Sequence, residues 1–269
     1  GSDLAIISGT GKLPLLIKKL YKQAIYITFA NSKKITENKV VNCQFEKLGF
    51  LFDSLKENGI RRVVMAGSIS RPQFDKSKLD QYTLSIMPKL SAKLVQGDNE
   101  LLSFIAEEFE KNGYQIVGAS EILPDLLLKP GIVVGSPYEF ISRDIEKADK
   151  ILKVLSPQDI GQGVVVENGL VLGIETLQGT NELLKFVIKT SSHLRKDDSG
   201  GIFVKRPKSN QNLRFDMPVV GPETIELACK AGLRGLVVSP RSVIVLDREK
   251  CIQIAEANDF FILAEDSRI

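Results

Sequence analysis

The segment IISGTGKLP, from Ile6 to Pro14, joins a short apolar run to a helical pattern through two glycines. It predicts a buried strand at residues 3–7 and an amphipathic helix at 13–21. Gly9 and Gly11 come where a backbone can approach a phosphate at a helix N-terminus. Pro14 replaces the third glycine of a dinucleotide fingerprint, and the segment lacks the earlier glycine and the Ser or Thr of a P-loop. An anion-binding loop and a tight turn without a ligand both stay open.

Strand and helix patterns alternate through the first half of the chain. Apolar runs predict strands at 24–29, 62–66 and 114–119, and apolar stripes predict helices from Leu48 to Gly59 and at 101–111. This alternation is typical of a doubly wound parallel sheet. The fold class is therefore α/β, with an N-terminal Rossmann-like parallel-sheet domain over residues 1–140.

The pattern changes in the second half of the chain. Two short strands, 163–167 and 170–176, are joined by Asn168-Gly169, a strong hairpin signal. Thr180 is the expected cap of a helix at 180–194. Further helices are expected at 142–155, 222–231 and up to 258, and further strands at 202–205, 234–239, 242–247 and 260–264. These residues, 141–269, are expected to form a mixed α/β domain.

Composition narrows the class of protein. Of the 269 residues, 43% are hydrophobic and 26% charged, as in soluble globular proteins. A net charge of +3 is too small to indicate a nucleic-acid partner. No signal-peptide pattern is evident, and no apolar run approaches the roughly 20 residues that span a bilayer. With three widely spaced cysteines and no CxxC, the expected location is the cytoplasm, with peripheral contact at the inner membrane left open.

Three polar stretches of the second half suggest chemistry: 156–163, 173–184 and 203–222. In the last, Lys205, Arg206, Lys208 and Arg214 precede the single acid Asp216. Cations around one carboxylate are the composition of a phosphate site, where the acid binds a metal or activates water. The alternative is a solvated basic loop, which the apolar neighbours of Asp216 disfavour. His193 is the only histidine, so a multi-histidine metal site is excluded.

Five motifs occur in one order along the chain. They are GTGKLP (9–14), MAGSISRP (65–72), LSPQDIGQGVVVENGLVLGIE (155–175), QGTNELL (178–184) and LRFDMPVVGPETI (213–225). Together they resemble the UDP-2,3-diacylglucosamine pyrophosphatases of the LpxI type, from Leu4 to about Phe261. The resemblance implies a cytoplasmic hydrolase of lipid A biosynthesis in Gram-negative bacteria. Water would attack the phosphorus on the sugar side, giving UMP and 2,3-diacylglucosamine 1-phosphate.

The resemblance also implies a site. Magnesium or another divalent cation is the expected cofactor, and the acylated product would lie between two domains. Asp216 matches the key acid and is the expected catalytic residue and metal ligand, with Glu175 and Asp98 as further ligands. The expected substrate-binding residues are Gly9, Gly11, Lys12, Arg71, Gln162, Thr180, Lys205, Lys208 and Arg214. The expected partner is the acylated sugar nucleotide, and a homodimer is left open.

The chain departs from the family pattern at four positions, where amides replace expected acids: Asn99, Gln178, Asn181 and Asn212. If the missing acids bind metal, metal affinity would fall or activity would be lost, whereas helix caps would tolerate amides at modest cost. A non-catalytic protein that binds an acylated sugar nucleotide or phosphate is therefore the alternative. A nicotinamide oxidoreductase is disfavoured by the missing third glycine and the lack of a clear ribose-binding acid.

Overall fold

The computed structural model describes residues 3–29, 39–69, 72–190, 192–195 and 200–269. The chain groups into two compact units. The first comprises Gly1–Pro124 together with Asn212–Asp216, and the second comprises Asp125–Gln211 and Met217–Ile269. The boundary expected from the sequence, between residues 140 and 141, lies further along the chain than the division at Pro124 and Asp125. We call the five-residue segment Asn212–Asp216 the strap.

The first unit is built on a five-stranded parallel sheet. Its strands are β1 (Leu4–Ser8), β2 (Ile25–Phe29), β3 (Val40–Cys43), β4 (Arg62–Ala66) and β5 (Gln115–Ile116). They lie in the order β3-β2-β1-β4-β5, with every neighbouring pair parallel. The direction of chain progression reverses between β1 and β4, and ligands of such sheets bind at this switch point. The Rossmann-like N-terminal fold is confirmed.

Helices cover this sheet. They are α1 (Leu13–Leu20), α2 (Leu48–Glu57), α3 (Gln81–Leu94), α4 (Asp98–Lys111) and α5 (Ala119–Ile122). The predicted stripe of α2 is buried at Leu48, Leu51, Phe52 and Leu55, where it packs with Phe109 in one core. The sequence did not predict β3 or α3, and the strand expected at 114–119 is only the two residues of β5.

The second unit holds a mixed six-stranded sheet in the order β6-β13-β11-β9-β7-β8. Its strands are β6 (Gly131–Val134), β7 (Gly163–Glu167), β8 (Leu170–Ile174), β9 (Ile202–Lys205), β11 (Gly235–Val238) and β13 (Phe261–Ala264). Strands β9, β11 and β13 run parallel, while β6 and β7 are antiparallel to their neighbours. A separate two-stranded parallel sheet pairs β10 (Val219–Val220) with β12 (Ile244–Val245). The mixed C-terminal fold is confirmed.

Two apolar cores pack on opposite faces of the six-stranded sheet. Helix α6 (Ile141–Leu155) covers one face over Ile202 and Val204. Helices α7 (Thr180–Ile188), α8 (Pro222–Lys230) and α9 (Arg248–Ala257) cover the other, where Phe203 is buried. The predicted hairpin is confirmed, because Asn168 and Gly169 join β7 to β8 with φ of 50° and 78°.

Candidate active site

The glycine segment of the first unit packs against the loop that follows β4. Thr10 N donates to Ser68 O at 2.7 Å, and Ser68 N donates to Thr10 O at 3.1 Å. A side chain at Gly9 would clash with the backbone of Gly67 and Ser68, and one at Gly67 would clash with Thr10 O. Glycine is therefore required at both positions by the close approach of two loops, which accounts for Gly9 without a ligand.

Gly11 and Lys12 differ from Gly9 because they lie in open surroundings. Gly11 has a φ of 103°, and a Cβ built there would meet nothing within 4 Å. Lys12 precedes α1, and no side chain caps the first turn of that helix. Both residues are exposed at the carboxyl ends of β1 and β4, where the sheet order reverses. This part of the segment has space for an anionic ligand.

The strap carries Asp216, the expected catalytic acid, into the first unit. Asn212 Oδ1 accepts hydrogen bonds from Arg214 N at 3.1 Å and Arg214 Nε at 3.3 Å. Asn212 O accepts from Asp216 N at 3.1 Å, while Phe215 packs on the core of the unit. Arg214 Nη1 also bonds Glu110 Oε1 of α4 at 2.8 Å. These contacts fix the turn that holds the half-buried Asp216.

The expected metal ligands are divided between the units. Asp98 begins α4 and Asp216 lies on the strap, both in the first unit, while Glu175 follows β8 in the second. Within the described ranges, no group of three or more His, Cys, Asp or Glu side chains is placed to hold a metal ion. Carboxylate oxygens of Asp98 and Asp216 suit magnesium chemically, because that ion commonly takes one or two carboxylates and keeps several waters.

Three polar motifs of the second unit meet at one edge of the sheet. Strand β7 is antiparallel to both β8 and β9, so its first residues lie beside the last residues of those strands. Gly163 pairs with Lys205, and Val164 pairs with Ile174. The loops 156–163, 173–184 and 203–211 are therefore neighbours because of strand direction.

Glu175, Thr180 and Lys205 form a hydrogen-bonded triad at this edge. Lys205 Nζ donates to Glu175 Oε2 and to Thr180 Oγ1, each at 2.7 Å. Thr180 Oγ1 donates to the same carboxylate oxygen at 2.8 Å. A metal ion at Glu175 Oε2 would have to displace the ammonium group of Lys205. The expectation that Thr180 caps α7 is wrong: Gly179, with a φ of 84°, occupies the cap position, and the Thr180 hydroxyl bonds Glu175 instead.

The loops 156–163 and 203–211 are joined by polar contacts. Lys208 Nζ donates to Asp159, whose backbone is left-handed, and Ser209 N donates to Ser156 Oγ at 2.6 Å. Gln162 contributes its backbone carbonyl, which accepts from Arg206 N at 2.9 Å. These contacts place Gln162 and Lys208 in one loop cluster with the triad.

Each basic residue of the segment 203–222 that was expected near a phosphate has an acidic partner in the structure. Each of the four cations bonds a different acid: Lys205 with Glu175, Arg206 with Asp149, Lys208 with Asp159, and Arg214 with Glu110. Successive side chains of a strand point to opposite faces, so Lys205 and Arg206 turn away from each other at the end of β9. Lys205 meets α7, and Arg206 Nε meets Asp149 Oδ1 of α6 at 2.9 Å.

Sequence reasoning missed these acidic partners. A partner for Asp149 could have been predicted from the sequence. Asp149 lies among the buried positions of α6, beside Ala148 and Leu152, and a buried acid requires a buried partner. The pairing of Glu110 could not have been predicted, because Glu110 is one of several acids on α4. Arg71 lies outside the described residues.

His193 and the three cysteines hold no catalytic arrangement within the described part of the chain. His193 is exposed in a short 3₁₀ turn at Ser192–Leu194. All three cysteines are free thiols, and burial raises the pKa of Cys43, Cys229 and Cys251 to about 11. The thiols therefore stay protonated near neutral pH.

Two family models match the chain. The LpxI N-terminal domain covers residues 3–126, and the LpxI C-terminal domain covers residues 130–263. The chain belongs to the LpxI family. It is 35% identical over 223 residues to the UDP-2,3-diacylglucosamine pyrophosphatase LpxI of Caulobacter vibrioides, covering 82% of this chain and 80% of that protein.

The two LpxI domain matches meet near the division between the compact units, which falls between Pro124 and Asp125. Across the described residues, no helix is both long enough and apolar enough to cross a membrane. The site residues expected from the LpxI resemblance stay predictions, as do peripheral membrane contact, a cytoplasmic location and a homodimer.

Proposed function

We propose that this chain hydrolyses the pyrophosphate of UDP-2,3-diacylglucosamine to UMP and 2,3-diacylglucosamine 1-phosphate. Membership of the LpxI family carries this proposal, together with a curated relative of that name that shares 35% identity. The reaction adds water across a phosphorus–oxygen bond of the pyrophosphate. Water oxygen bonds the sugar-side phosphorus, UMP leaves with the bridging oxygen, and the water proton passes to a base.

Asp216 is the base that we propose. Asp216 lies on a turn that is held by the hydrogen bonds of Asn212 and by the packing of Phe215. These contacts fix the backbone position of the proposed base. Asp98 and Asp216 are the carboxylates that we propose for magnesium. When bound, the ion neutralises charge that develops on the phosphoryl oxygens.

The cations differ in their availability to a phosphate. Arg214 is 44% exposed and bonds Glu110 at the surface, so exchanging that partner for a phosphate oxygen costs little. Lys12 is exposed beside Gly11. Lys205 is buried against Glu175, and its release would leave a buried carboxylate unpaired. We therefore propose that Lys12 and Arg214 contact the phosphates, while Lys205, Glu175 and Thr180 position the loop at 176–179.

The test is release of UMP from UDP-2,3-diacylglucosamine, measured with magnesium and with EDTA, for the unmodified protein and for Asp216→Asn. Asp259→Asn is the matched control, because the Asp259 side chain is 91% exposed. We expect turnover that requires the divalent ion, a loss of at least about 100-fold in Asp216→Asn, and full activity in the control. Reaction in ¹⁸O-labelled water should place the label in 2,3-diacylglucosamine 1-phosphate.

A different result would support the non-catalytic alternative. Folded protein that binds the substrate in calorimetry but releases no UMP with any divalent cation would exclude the hydrolase. The next residues to substitute would then be the amides that replace expected acids, beginning with Asn99 and Asn181.

A further inference from the structure

Helix α1 of the first unit exposes apolar side chains on its outer face. Leu13 and Ile17 are buried, whereas Leu15 is 50% exposed and Leu20 is 58% exposed. Leu16 lies one helical turn before Leu20 and is only partly buried. These leucines form a patch on a helix of only eight residues. An exposed apolar patch of this kind indicates an interaction surface.

Basic residues accompany this patch, and no acid lies near them in the sequence. Lys19 and Lys22 are exposed at the C-terminal end of α1, and residues 4–36 contain no Asp or Glu. Within the described part of the chain, neither of these lysines forms an ion pair. A third cation lies close by, because Lys39 Nζ donates to Gln23 Oε1 at 2.8 Å just beyond the helix. The outer face of α1 is therefore both apolar and cationic.

Lys19 and Lys22 are not needed to complete the helix. Cations in a last turn commonly stabilise a helix by bonding its free carbonyl groups. Lys18 already bonds the chain at this end, because its buried ammonium group donates to Ala24 O at 2.6 Å and to Lys22 O at 3.3 Å. The exposed ammonium groups of Lys19 and Lys22 are therefore available to an anionic partner.

We propose that the outer face of α1, formed by Leu15, Leu16, Lys19, Leu20 and Lys22, docks onto a phospholipid bilayer with anionic headgroups. The leucines enter the boundary between headgroups and acyl chains, and the ammonium groups bind the lipid phosphates. Lysine suits this boundary, because its apolar stem stays among the leucines while its charge reaches the headgroups. The inference goes beyond the proposed function, since docking requires neither substrate nor turnover.

Two other partners fit this face less well. A two-fold interface with a second copy of the chain is self-complementary, so it would bring Lys19 and Lys22 of each copy close to the same lysines of the other. Like charges placed together in this way repel. A soluble polyanion would pair with the lysines but would leave Leu15 and Leu20 in water. An anionic bilayer matches both the charge and the apolar side chains.

Co-sedimentation of the full chain with lipid vesicles tests the proposal. We expect binding to vesicles that contain phosphatidylglycerol, little binding to phosphatidylcholine alone, and weaker binding at high salt. Each lysine near an anionic surface contributes about fivefold to binding, so Lys19→Gln/Lys22→Gln should weaken binding by at least about tenfold. Leu15→Ser/Leu20→Ser should weaken it by at least about tenfold as well, because two apolar side chains no longer leave water.

Matched control variants are available on other helices of the first unit. Leu84→Ser/Val95→Ser removes two exposed apolar side chains of α3 and its C-terminal end, and Lys56→Gln/Lys89→Gln removes two exposed lysines of α2 and α3. Both controls should bind as the unmodified protein does. Equal losses in the test and control variants, or equal binding to neutral vesicles, would overturn the proposal. A loss in the lysine variant without a loss in the leucine variant would indicate a soluble polyanion and would also overturn it.

A single indole can locate the contact, because the chain contains no tryptophan. Leu20→Trp places the indole on the outer face of α1, and Leu84→Trp is the control, since Leu84 is 60% exposed on α3. The probe is a phosphatidylglycerol vesicle with bromine on its acyl chains, which quenches an indole that enters the bilayer. We expect quenching in Leu20→Trp and none in Leu84→Trp. Vesicle-bound protein with no quenching in Leu20→Trp, or with equal quenching in both variants, would show that another surface docks and would overturn the proposal.

Discussion

Lys205 Nζ lies 2.7 Å from Glu175 Oε2, and the two side chains are only 5% and 9% exposed. Neither charge has enough water around it to be stable alone, so each depends on the other. Thr180 completes the arrangement by bonding both groups. The start of α7 is thereby tied to the end of β9.

Removing one charge of this pair should destabilise the protein strongly. Lys205→Met should lower the free energy of unfolding by about 3–5 kcal/mol, because it leaves a buried carboxylate unpaired. The double variant Lys205→Met/Glu175→Leu should recover most of that loss. Urea unfolding of Lys205→Met, of Glu175→Leu and of the double variant measures the coupling free energy between the two side chains. Losses that simply add would show that the pair contributes nothing as a pair.

Gly67 should tolerate no side chain, because its φ is 84° and a Cβ would meet Thr10 O. Gly67→Ala should lower the free energy of unfolding by more than about 2 kcal/mol through strain and a clash. Gly59→Ala is the control, since Gly59 has a φ of 68° with nothing within 4 Å. Its loss should be about 1 kcal/mol, from the backbone alone. Equal losses in thermal unfolding would show that the loops can separate.

Substitutions of Asn212 test whether an amide can replace the expected acid on the strap. Its Oδ1 only accepts hydrogen bonds, from Arg214 N and Nε, and a carboxylate oxygen does the same. We expect Asn212→Asp to keep kcat within about threefold, and Asn212→Ala to lower it by about tenfold, because the turn that holds Asp216 loosens. A gain of 100-fold or more in Asn212→Asp, with tighter magnesium dependence, would instead show that the acid binds metal.

Asp80 should make stability depend on acid pH. Its carboxylate caps α3 by accepting from Thr83 N at 2.7 Å and also accepts from Phe50 N at 3.3 Å. Burial alone would raise the pKa of Asp80, but these hydrogen bonds outweigh it and hold the pKa below its usual value of 3.8. The stabilisation is therefore present above about pH 4 and is lost as pH falls through the lowered pKa.

The corresponding experiment compares Asp80→Ala with the unmodified protein in urea at pH 7 and at pH 3. The variant should be less stable by about 1 kcal/mol at pH 7, and the difference should shrink at pH 3. A difference that is the same at both pH values would mean that the charge of Asp80 has no part in capping.

The sequence predicted the elements whose signals are local. The hairpin at Asn168-Gly169 and the stripe of α2 follow from turn geometry and from helical period, which need no knowledge of neighbours. Helix α3 was missed because Pro88 interrupts its pattern and only Thr83 and Leu90 are buried. Strand β3 was missed because it is short, is fully buried only at Cys43, and includes the exposed polar Asn42.

The site was harder to predict than the fold. The run from Lys205 to Lys208 looks like one basic cluster in the sequence, but strand alternation sends Lys205 and Arg206 to different helices. The partner of each cation comes from a distant part of the chain, and only pairing in three dimensions shows it. The triad could be anticipated only as three separate polar residues, because their hydrogen bonds depend on the antiparallel direction of β7.

The strap has a consequence for any attempt to divide the gene. The coding region for the first unit is interrupted, because five of its residues, 212–216, are encoded after most of the second unit. A truncated gene that stops at residue 124 would yield a first unit without Asn212, Phe215 and Asp216. The complementary fragment would keep these residues but lose the core on which Phe215 packs. Neither fragment alone could therefore reproduce the surroundings of Asp216. One uninterrupted reading frame that encodes both units keeps these surroundings together.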